Sequence, residues 1–274
     1  ISTRIFTVAN QKGGVGKTTS AVNIAAALSM GGLRTLVIDL DPQGNASTAF
    51  GISRDEVNGM YEVITKDLPI HDASLKIPGY PHLEVVPATQ SLANAEVELV
   101  PMVARELRLK KALTNYLNDA TQRGERFDYV IIDCPPSLGL LTINALVAAD
   151  ELLIPIQCEY YSLEGLTLLL HTVSLIQEHL NQNIKLSTIV LTMFDGRTRL
   201  ANDVADEVRK HYAEQLIDIP IPRAVRVSEA PSYGQTVMTY DPSSNGAEAY
   251  GLVAREIARR GAPTINSVTE VGVG

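Results

Sequence analysis

Short apolar runs alternate with longer stretches of helical periodicity along this chain. Each run is apolar at nearly every position, which is typical of strands covered on both faces of a parallel sheet. The predicted strands span residues 5–9, 35–39, 83–86, 129–132, 152–156, 186–192 and 217–221. Because such strands alternate with helices, the pattern predicts an α/β fold with a mostly parallel, doubly wound sheet flanked by helices.

The helical patterns lie between these runs. The first begins at Lys17, directly after a glycine-rich stretch, and stops at Gly31 and Gly32. The predicted helices span residues 17–30, 55–65, 91–98, 103–120, 140–149, 163–180, 201–212 and 247–260. Residues 68–81 contain three prolines and predict a loop. Residues 262–274 lack periodicity and predict a flexible C-terminal tail.

The glycine-rich stretch from Asn10 to Thr19 joins the first strand to the first helix. In such a turn, successive backbone N–H groups converge on one point at the positive end of the helix dipole, which creates a phosphate site. Lys17 is placed to reach the β- and γ-phosphates, and the Thr18 hydroxyl to ligate Mg²⁺. Unlike the pattern G-x-x-x-x-G-K-[ST], the stretch carries Gln11 in place of glycine and a second lysine beside it. The predicted ATP-binding residues in this stretch are Lys12, Gly13, Gly14, Val15, Gly16, Lys17, Thr18 and Thr19.

Three aspartates follow predicted strands at the edge where this loop lies. Asp133 ends a strand as the Mg²⁺-side aspartate of P-loop hydrolases does, and we expect it to hold the ion through a water molecule. Asp39 and Asp41 lie two residues apart at the end of another strand. Since ligand sites of such folds lie at the carboxyl ends of the strands, one of this pair is expected to orient the attacking water. The other would hold the metal shell or the loop.

Composition narrows the class of protein. The formal net charge of −8 argues against a broadly basic surface, but it leaves room for a local basic patch. Cys134 and Cys158 lack the spacing of a disulfide framework, a zinc site or an iron–sulfur cluster. No apolar run reaches the roughly 18 residues of a membrane span, and no signal peptide is evident. We therefore expect a cytoplasmic protein with no membrane partner.

Several stretches, taken together, resemble one family. They are Lys-Gly-Gly-Val-Gly-Lys-Thr-Thr at 12–19, Asp-Leu-Asp-Pro-Gln-Gly-Asn at 39–45 and Tyr-Val-Ile-Ile-Asp-Cys-Pro-Pro-Ser at 129–137, with further agreement at 155–161, 193–198 and 221–232. In this order they are similar to the ParA/Soj family, the deviant Walker A ATPases that partition chromosomes and plasmids. The likeness implies a single-domain P-loop NTPase over residues 1–261, with ATP and Mg²⁺ as cofactors.

This resemblance also implies roles for individual residues. Lys12 matches the signature lysine that crosses to the ATP of the partner subunit in an ATP-dependent homodimer. Its catalytic partners would be Lys17 in its own subunit and Asp41, which matches the aspartate that activates or positions the water. Thr18 and Asp133 match the metal-side residues, which leaves Asp39 for the metal shell. Adenine contacts are implied at Pro222 and, through the backbone, at Ala224.

Non-specific binding of double-stranded DNA is the second implied activity. Arg197 and Arg226 match positions on the DNA-contacting surface of relatives, and both are expected in loops that follow strands. The resemblance further implies a weak ATPase that is stimulated by DNA and by a ParB/Spo0J-type centromere-binding protein. Such a protein would be associated with the nucleoid and would drive chromosome or plasmid segregation.

Three alternatives use the same P-loop. A division-site regulator of the MinD type binds membrane through a basic amphipathic C-terminal helix, but residues 262–274 contain no lysine or arginine. A reductase of the nitrogenase iron-protein type or a metal-cluster carrier needs clustered or subunit-bridging cysteines. A small-molecule ligase needs a substrate pocket that the sequence does not reveal.

Overall fold

The computed structural model describes residues 2–55, 57–159 and 162–262. The strands are β1 (Arg4–Val8), β2 (Thr35–Asp39), β3 (Leu75–Lys76), β4 (Leu83–Val86), β5 (Tyr129–Asp133), β6 (Glu151–Gln157), β7 (Lys185–Thr192) and β8 (Leu216–Ile217). Apart from Ala262, the predicted C-terminal tail lies outside the described residues.

Helices connect and cover these strands. The α-helices are α1 (Lys17–Met30), α2 (Asn45–Ala49), α3 (Met60–Lys66), α4 (Ile70–Ala73), α5 (Ala95–Leu99), α6 (Arg108–Gln122), α7 (Leu140–Ala148), α8 (Ser162–His179), α9 (Arg199–His211), α10 (Val225–Glu229), α11 (Val237–Tyr240) and α12 (Asn245–Gly261). Short 3-10 helices lie at Gln90–Asn94, Arg105–Leu107 and Ala230–Tyr233.

The described strands form one eight-stranded sheet in the order β3-β4-β2-β5-β1-β6-β7-β8. Every neighbouring pair is parallel except β3 and β4, which are antiparallel. Parallel strands need crossover connections, and the helices that supply them cover both faces of the sheet. The predicted α/β fold is therefore confirmed.

Two hydrophobic clusters lie on opposite faces of the sheet. In β2, Leu36 and Ile38 belong to one cluster and Val37 to the other, because side chains alternate along a strand. All five residues of β2 are buried, which fits the apolar side chains of its three central residues. Tyr250 of α12 is the largest side chain that is fully buried among the described residues, and it packs α12 against α1 and the sheet.

Some predicted boundaries differ from the structure. The helix predicted at 55–65 begins only at Met60, because the N–H of Gly59 is capped by the carboxylate of Glu62 at 3.0 Å. The segment predicted as a loop at 68–81 contains α4 and β3. Its prolines lie outside both elements and therefore do not interrupt them. The strand predicted at 217–221 ends at Ile217, because the prolines at 220 and 222 cannot donate to a neighbouring strand.

The sheet register brings the predicted chemistry together. Asp133 at the end of β5 is paired with Val8 of β1 on one side and with Asp39 of β2 on the other. The loop that follows β1 and the turn that follows β2 therefore leave the sheet at the same edge. That edge is where a ligand is expected to bind in such a fold.

Candidate nucleotide and DNA-binding sites

The glycine-rich loop is held in shape by side chains from neighbouring strands. Asn10 donates from Nδ2 to the carbonyl oxygen of Pro155 at 2.8 Å, and its Oδ1 accepts the N–H of Lys12 at 3.0 Å. Thr192 at the end of β7 donates to the carbonyl of Val15 at 2.8 Å. Gly16 directly precedes α1 and lies in the left-handed region, with φ of 83°. A residue with a side chain would be strained in this conformation.

Lys17 lies inside this loop. Its side chain is buried, and the ammonium donates to the carbonyl oxygen of Lys12 at 3.0 Å. Burial lowers the pKa of Lys17, whereas the nearby carboxylates of Asp133 and Asp41 favour the charged form. A cation held at the cavity wall in this way suits a phosphate.

Lys12 lies on the outside of the loop and has a different partner. Its ammonium forms an ion pair with Glu159 at 2.7 Å, and each of the two side chains is about a third to a half exposed. Gln157 donates to the other carboxylate oxygen of Glu159 at 2.6 Å. The two lysines of the loop therefore face different surroundings, and Glu159 is a partner that the sequence did not reveal.

Asp133 and Thr18 form a pair that fits a metal shell. The Thr18 hydroxyl donates to Asp133 Oδ2 at 2.7 Å. Among the residues that the structure describes, the buried Asp133 Oδ1 has no hydrogen-bond partner. Burial raises the pKa of Asp133 well above its ordinary value, and the neighbouring Asp39 raises it further. A buried carboxylate oxygen without a partner is costly unless a cation faces it, and Mg²⁺ prefers oxygen ligands of this kind.

Asp39 is fully buried and uses both carboxylate oxygens within the protein. Oδ2 accepts from the N–H and the hydroxyl of Ser47 at 2.8 and 2.7 Å, and Oδ1 accepts the N–H of Asp41 at 3.2 Å. Burial raises the pKa of Asp39 to about 6 despite these hydrogen bonds. These contacts hold the turn that follows β2, and a place for Asp39 in the metal shell stays a prediction. Ser47 lies in α2, a helix that the sequence did not predict, and sequence reasoning therefore missed its contact with Asp39.

Asp41 lies beside the loop. It is 6% exposed, and its Oδ1 accepts the N–H of Gln43 at 3.0 Å. It faces a cavity of about 300 Å³ that is lined by Gly13, Gly14, Gly16, Lys17, Thr18, Thr19, Asp41, Gln43, Asn45 and Pro136. The structure thus brings six of the eight predicted loop residues and Asp41 to one cavity, whereas Lys12 and Val15 are not among its lining residues.

A second cavity of about 410 Å³ adjoins the first, because Gly16 and Thr19 line both. Its other lining residues are Thr192, Met193, Ile221, Pro222, Arg223, Ala224, Val225, Val227, Ser228 and Tyr250. Hydrogen bonds from Ile221 N–H to Leu191 and from Phe194 N–H to Ile221, at 2.8 and 2.9 Å, fix this wall to the end of β7. A mainly apolar cavity next to a phosphate loop has the form that a nucleobase requires.

Comparison with known proteins agrees with this geometry. A family model described as an AAA domain matches residues 3–186. The sporulation initiation inhibitor protein Soj of Bacillus subtilis is 49% identical over 259 residues, which is 94% of this chain and 99% of that protein. The chromosome partitioning protein ParA of Myxococcus xanthus is 49% identical, over 95% of this chain and 89% of its own length. This chain belongs to the ParA/Soj family of chromosome-partitioning ATPases.

Solved structures share the fold of this ParA/Soj-family chain. The cobyrinic acid a,c-diamide synthase of Mycobacterium smegmatis, solved with bound ADP and magnesium, is 37% identical with a TM-score of 0.79, covering 94% of this chain and 95% of that chain. The cell division ATPase MinD of Pyrococcus furiosus is 23% identical with a TM-score of 0.73, covering 94% and 99%, and shows the fold alone. Throughout residues 2–55, 57–159 and 162–262, each helix is too short or too polar for a membrane span.

The two arginines predicted to contact DNA lie on the surface of the ParA/Soj-family chain. Arg197 lies in the turn after β7, as predicted, with a side chain that is 90% exposed. It donates from two nitrogens to the two oxygens of Asp195, at 2.8 and 2.7 Å. These contacts lower the pKa of Asp195 to about 2. The negatively charged carboxylate of Asp195 is thus already paired with the Arg197 guanidinium.

Arg226 corrects one prediction. It does not lie in a loop but in the first turn of α10, which begins after Ala224 and buries Val227. Its guanidinium contacts Glu229 at 3.1 Å and Asp241 at 3.6 Å. The segments that carry the two arginines adjoin, because the N–H of Arg223 donates to the carbonyl of Phe194 at 3.4 Å.

Proposed function

We propose that this chain is an ATP-dependent dimerising ATPase that binds DNA in its ATP state and segregates chromosomes or plasmids with a ParB-type partner. The observation that carries the proposal is the divergence of the two loop lysines. Lys17 is buried inside the phosphate cavity, whereas Lys12 lies on its outer side and pairs with Glu159. One lysine is thus available to this chain's own nucleotide, and the other does not line that cavity and is paired with a carboxylate.

ATP would bind across the two adjoining cavities. The loop N–H groups and Lys17 would hold the phosphates, and the apolar wall at Pro222 and Ala224 would contact adenine. Thr18 and Asp133 would hold Mg²⁺, whose charge would stabilise the phosphate oxygens during hydrolysis. Asp41, at the rim of the phosphate cavity, would orient the attacking water.

Dimerisation would complete the site. Lys12 is a cation at the mouth of the loop, and in a face-to-face dimer it would meet the developing charge on the neighbour's γ-phosphate. It would have to leave Glu159 to do so, and the phosphate offers more negative charge than one carboxylate. Since ADP has no γ-phosphate, this contact makes dimerisation depend on ATP.

DNA binding would follow from dimerisation. Arg197 and Arg226 each carry a guanidinium on an exposed surface, and a dimer doubles both contacts. Sequence-independent affinity depends on phosphate neutralisation, which suits arginines that need no base contact. The protein would then be nucleoid-associated, and a ParB/Spo0J-type protein would release it by stimulating its weak ATP hydrolysis.

DNA binding measured by gel shift with ATP, ADP and no nucleotide tests the proposal. We expect binding in ATP alone, to unrelated duplex sequences with similar affinity. Equal DNA binding with ATP, with ADP and without nucleotide would overturn the proposed switch. Vesicles of anionic lipid provide the comparison for the MinD-type alternative, and ATP-dependent binding to vesicles without DNA binding would favour that function.

A further inference from the structure

Arg54 makes a cluster of main-chain contacts next to the proposed catalytic turn. Its Nη2 donates to the carbonyl of Pro42 at 2.5 Å, its Nη1 to Gln43 at 2.6 Å, and its Nε to Ala88 at 2.7 Å. A fourth, longer contact joins Nη2 to the carbonyl of Thr89 at 3.4 Å. Among the described residues Arg54 forms no ion pair, and the hydrogen-bond partners of its guanidinium there are main-chain carbonyl oxygens.

These carbonyls belong to two segments of the chain. Pro42 and Gln43 follow Asp41 in the turn after β2, whereas Ala88 and Thr89 follow β4. The guanidinium is planar and presents up to five donors in a fixed arrangement, so one side chain can hold both segments at a set distance. Arg54 therefore ties the Asp41 turn to the neighbouring strand of the sheet.

The turn itself is built around this contact. Asp41 accepts the N–H of Gly44 at its carbonyl oxygen at 2.8 Å and the N–H of Gln43 at its side chain. Gly44 lies in the left-handed region with φ of 65°, and a Cβ added there would collide with the guanidinium of Arg54. A side chain at position 44 would therefore be strained by the backbone conformation and would displace the guanidinium of Arg54.

Ser47 anchors the same turn from the other side. Its hydroxyl donates to Asp39 and accepts the N–H of Ala88 at 3.0 Å. Ala88 is therefore held through its N–H by Ser47 and through its carbonyl by Arg54. The hydrogen bonds form a closed ring around the turn, in which Arg54 holds the two residues that directly follow Asp41.

We infer that Arg54 is a positioning residue for hydrolysis, which holds the Asp41 turn so that the carboxylate faces the attacking water. The inference rests on the proposed function, because it assigns Arg54 to the step that Asp41 performs there. A catalytic group that is displaced by about 1 Å loses about 100-fold in rate. Arg54 lines neither cavity, but it holds the main chain of Gln43, which lines the phosphate cavity. Its loss would therefore alter the placement of the Asp41 turn without removing a side chain from the cavity wall.

The test compares Arg54→Ala and Arg54→Lys with the wild-type chain in ATP binding and in ATP turnover with saturating Mg²⁺ and duplex DNA. We expect kcat to fall about 10- to 100-fold in Arg54→Ala, with the Kd for ATP changed less than about threefold. The kcat of Arg54→Lys should lie between those of Arg54→Ala and the wild-type chain, because an ammonium reaches fewer of the four carbonyls. Millimolar methylguanidinium should restore part of the turnover of Arg54→Ala.

Arg108→Ala provides a matched control. Arg108 also donates from Nε to a carbonyl, that of Ile64 at 2.7 Å, and it pairs with Asp67 at 2.8 Å, away from the Asp41 turn. We expect this variant to lose thermal stability with little change in kcat. Equal loss of turnover in both arginine variants, or wild-type turnover in Arg54→Ala, would overturn the inference. A wild-type chain that does not hydrolyse ATP would overturn the proposed function itself.

Discussion

Charged side chains are buried at the ends of β2 and β5, whereas those that follow β7 and β8 lie in water. Asp39 and Asp133 are fully buried with raised pKa values, and their charge needs a cation or hydrogen bonds to be tolerated. Arg197 and Arg226 are exposed, and each is paired with acids of its own surface. The first region therefore suits short-range chemistry, whereas the charges of the second region are open to screening by salt.

The two regions differ in what a single chain supplies to each proposed site. Around Asp133 a single chain already supplies the loop, the hydroxyl of Thr18 and the unpartnered oxygen. At the arginines a single chain supplies cations whose charge is largely balanced by Asp195, Glu229 and Asp241. Substitutions in the first region should therefore change rates and stability, and substitutions in the second should change salt-dependent affinity.

The largest effect is expected for Lys12→Ala. A cation supplied in trans at the transferring phosphate is worth about 10³-fold or more in rate, so turnover should fall by about that factor. ATP should still bind, because Lys17 and the loop are intact. Size-exclusion chromatography with light scattering should show that ATP no longer produces a dimer.

Glu159→Gln is the matched variant for this prediction. It removes the ion-pair partner of Lys12 and leaves the lysine in place. We expect ATP-dependent dimerisation to persist or to need less ATP. Normal turnover in Lys12→Ala would remove the crossing role of the lysine.

The next effect is expected for Asp41→Ala. A group that positions or activates water contributes about 10²-fold or more, and its loss should leave binding of ATP intact. The ATP-bound dimer should then accumulate and stay on DNA, which a filter-binding chase with excess competitor DNA would detect. A variant that still leaves DNA at the wild-type rate would contradict the role of Asp41.

Asp39 gives a prediction for the pH dependence of stability. Its pKa is 3.8 in the unfolded reference and about 6 in the folded chain, so the folded state binds the proton more tightly. This group's contribution to stability is therefore present below about pH 4 and is lost as the pH rises through about 6. The loss is on the order of 3 kcal/mol, at about 1.4 kcal/mol per pKa unit.

Urea unfolding of the nucleotide-free protein in EDTA, at several pH values between 4 and 7, measures this term. Asp39→Asn should lack it, so the difference in unfolding free energy between the two proteins should change with pH. A constant difference would show that the buried carboxylate keeps its ordinary pKa.

The sequence predicted the first region well for a physical reason. Apolar runs and glycine restrict where a buried strand ends and where a phosphate loop begins, and these local signals located Asp133 and the loop from Gly13 to Thr18. In the second region Asp195 and Glu229 are close in sequence to the arginines they pair with, but Asp241, which also contacts Arg226, lies further along the chain and was not predicted. For the same reason the sequence did not reveal the pairing of Lys12 with Glu159.

The smallest effect is expected for substitutions of Arg197 and Arg226, and the salt dependence of DNA affinity is the most sensitive measure of it. Each phosphate contact changes the slope of log K against log salt by about 0.9, so Arg226→Ala should reduce the slope of a dimer by about two. At moderate salt the affinity should fall about tenfold, while ATP-dependent dimerisation is unchanged. Arg197→Ala should behave in the same way.

Arg209→Ala is the control for charge alone. Arg209 is also paired with two acids, Asp206 and Asp218, but it lies near the C-terminal end of α9, away from the segments that carry Arg197 and Arg226. Its loss removes the same net charge, so a general electrostatic effect would weaken DNA binding equally in all three variants. A reduced slope confined to Arg197→Ala and Arg226→Ala would instead locate the DNA at those segments, where the phosphates must displace Asp195 and Glu229 from the guanidinium groups.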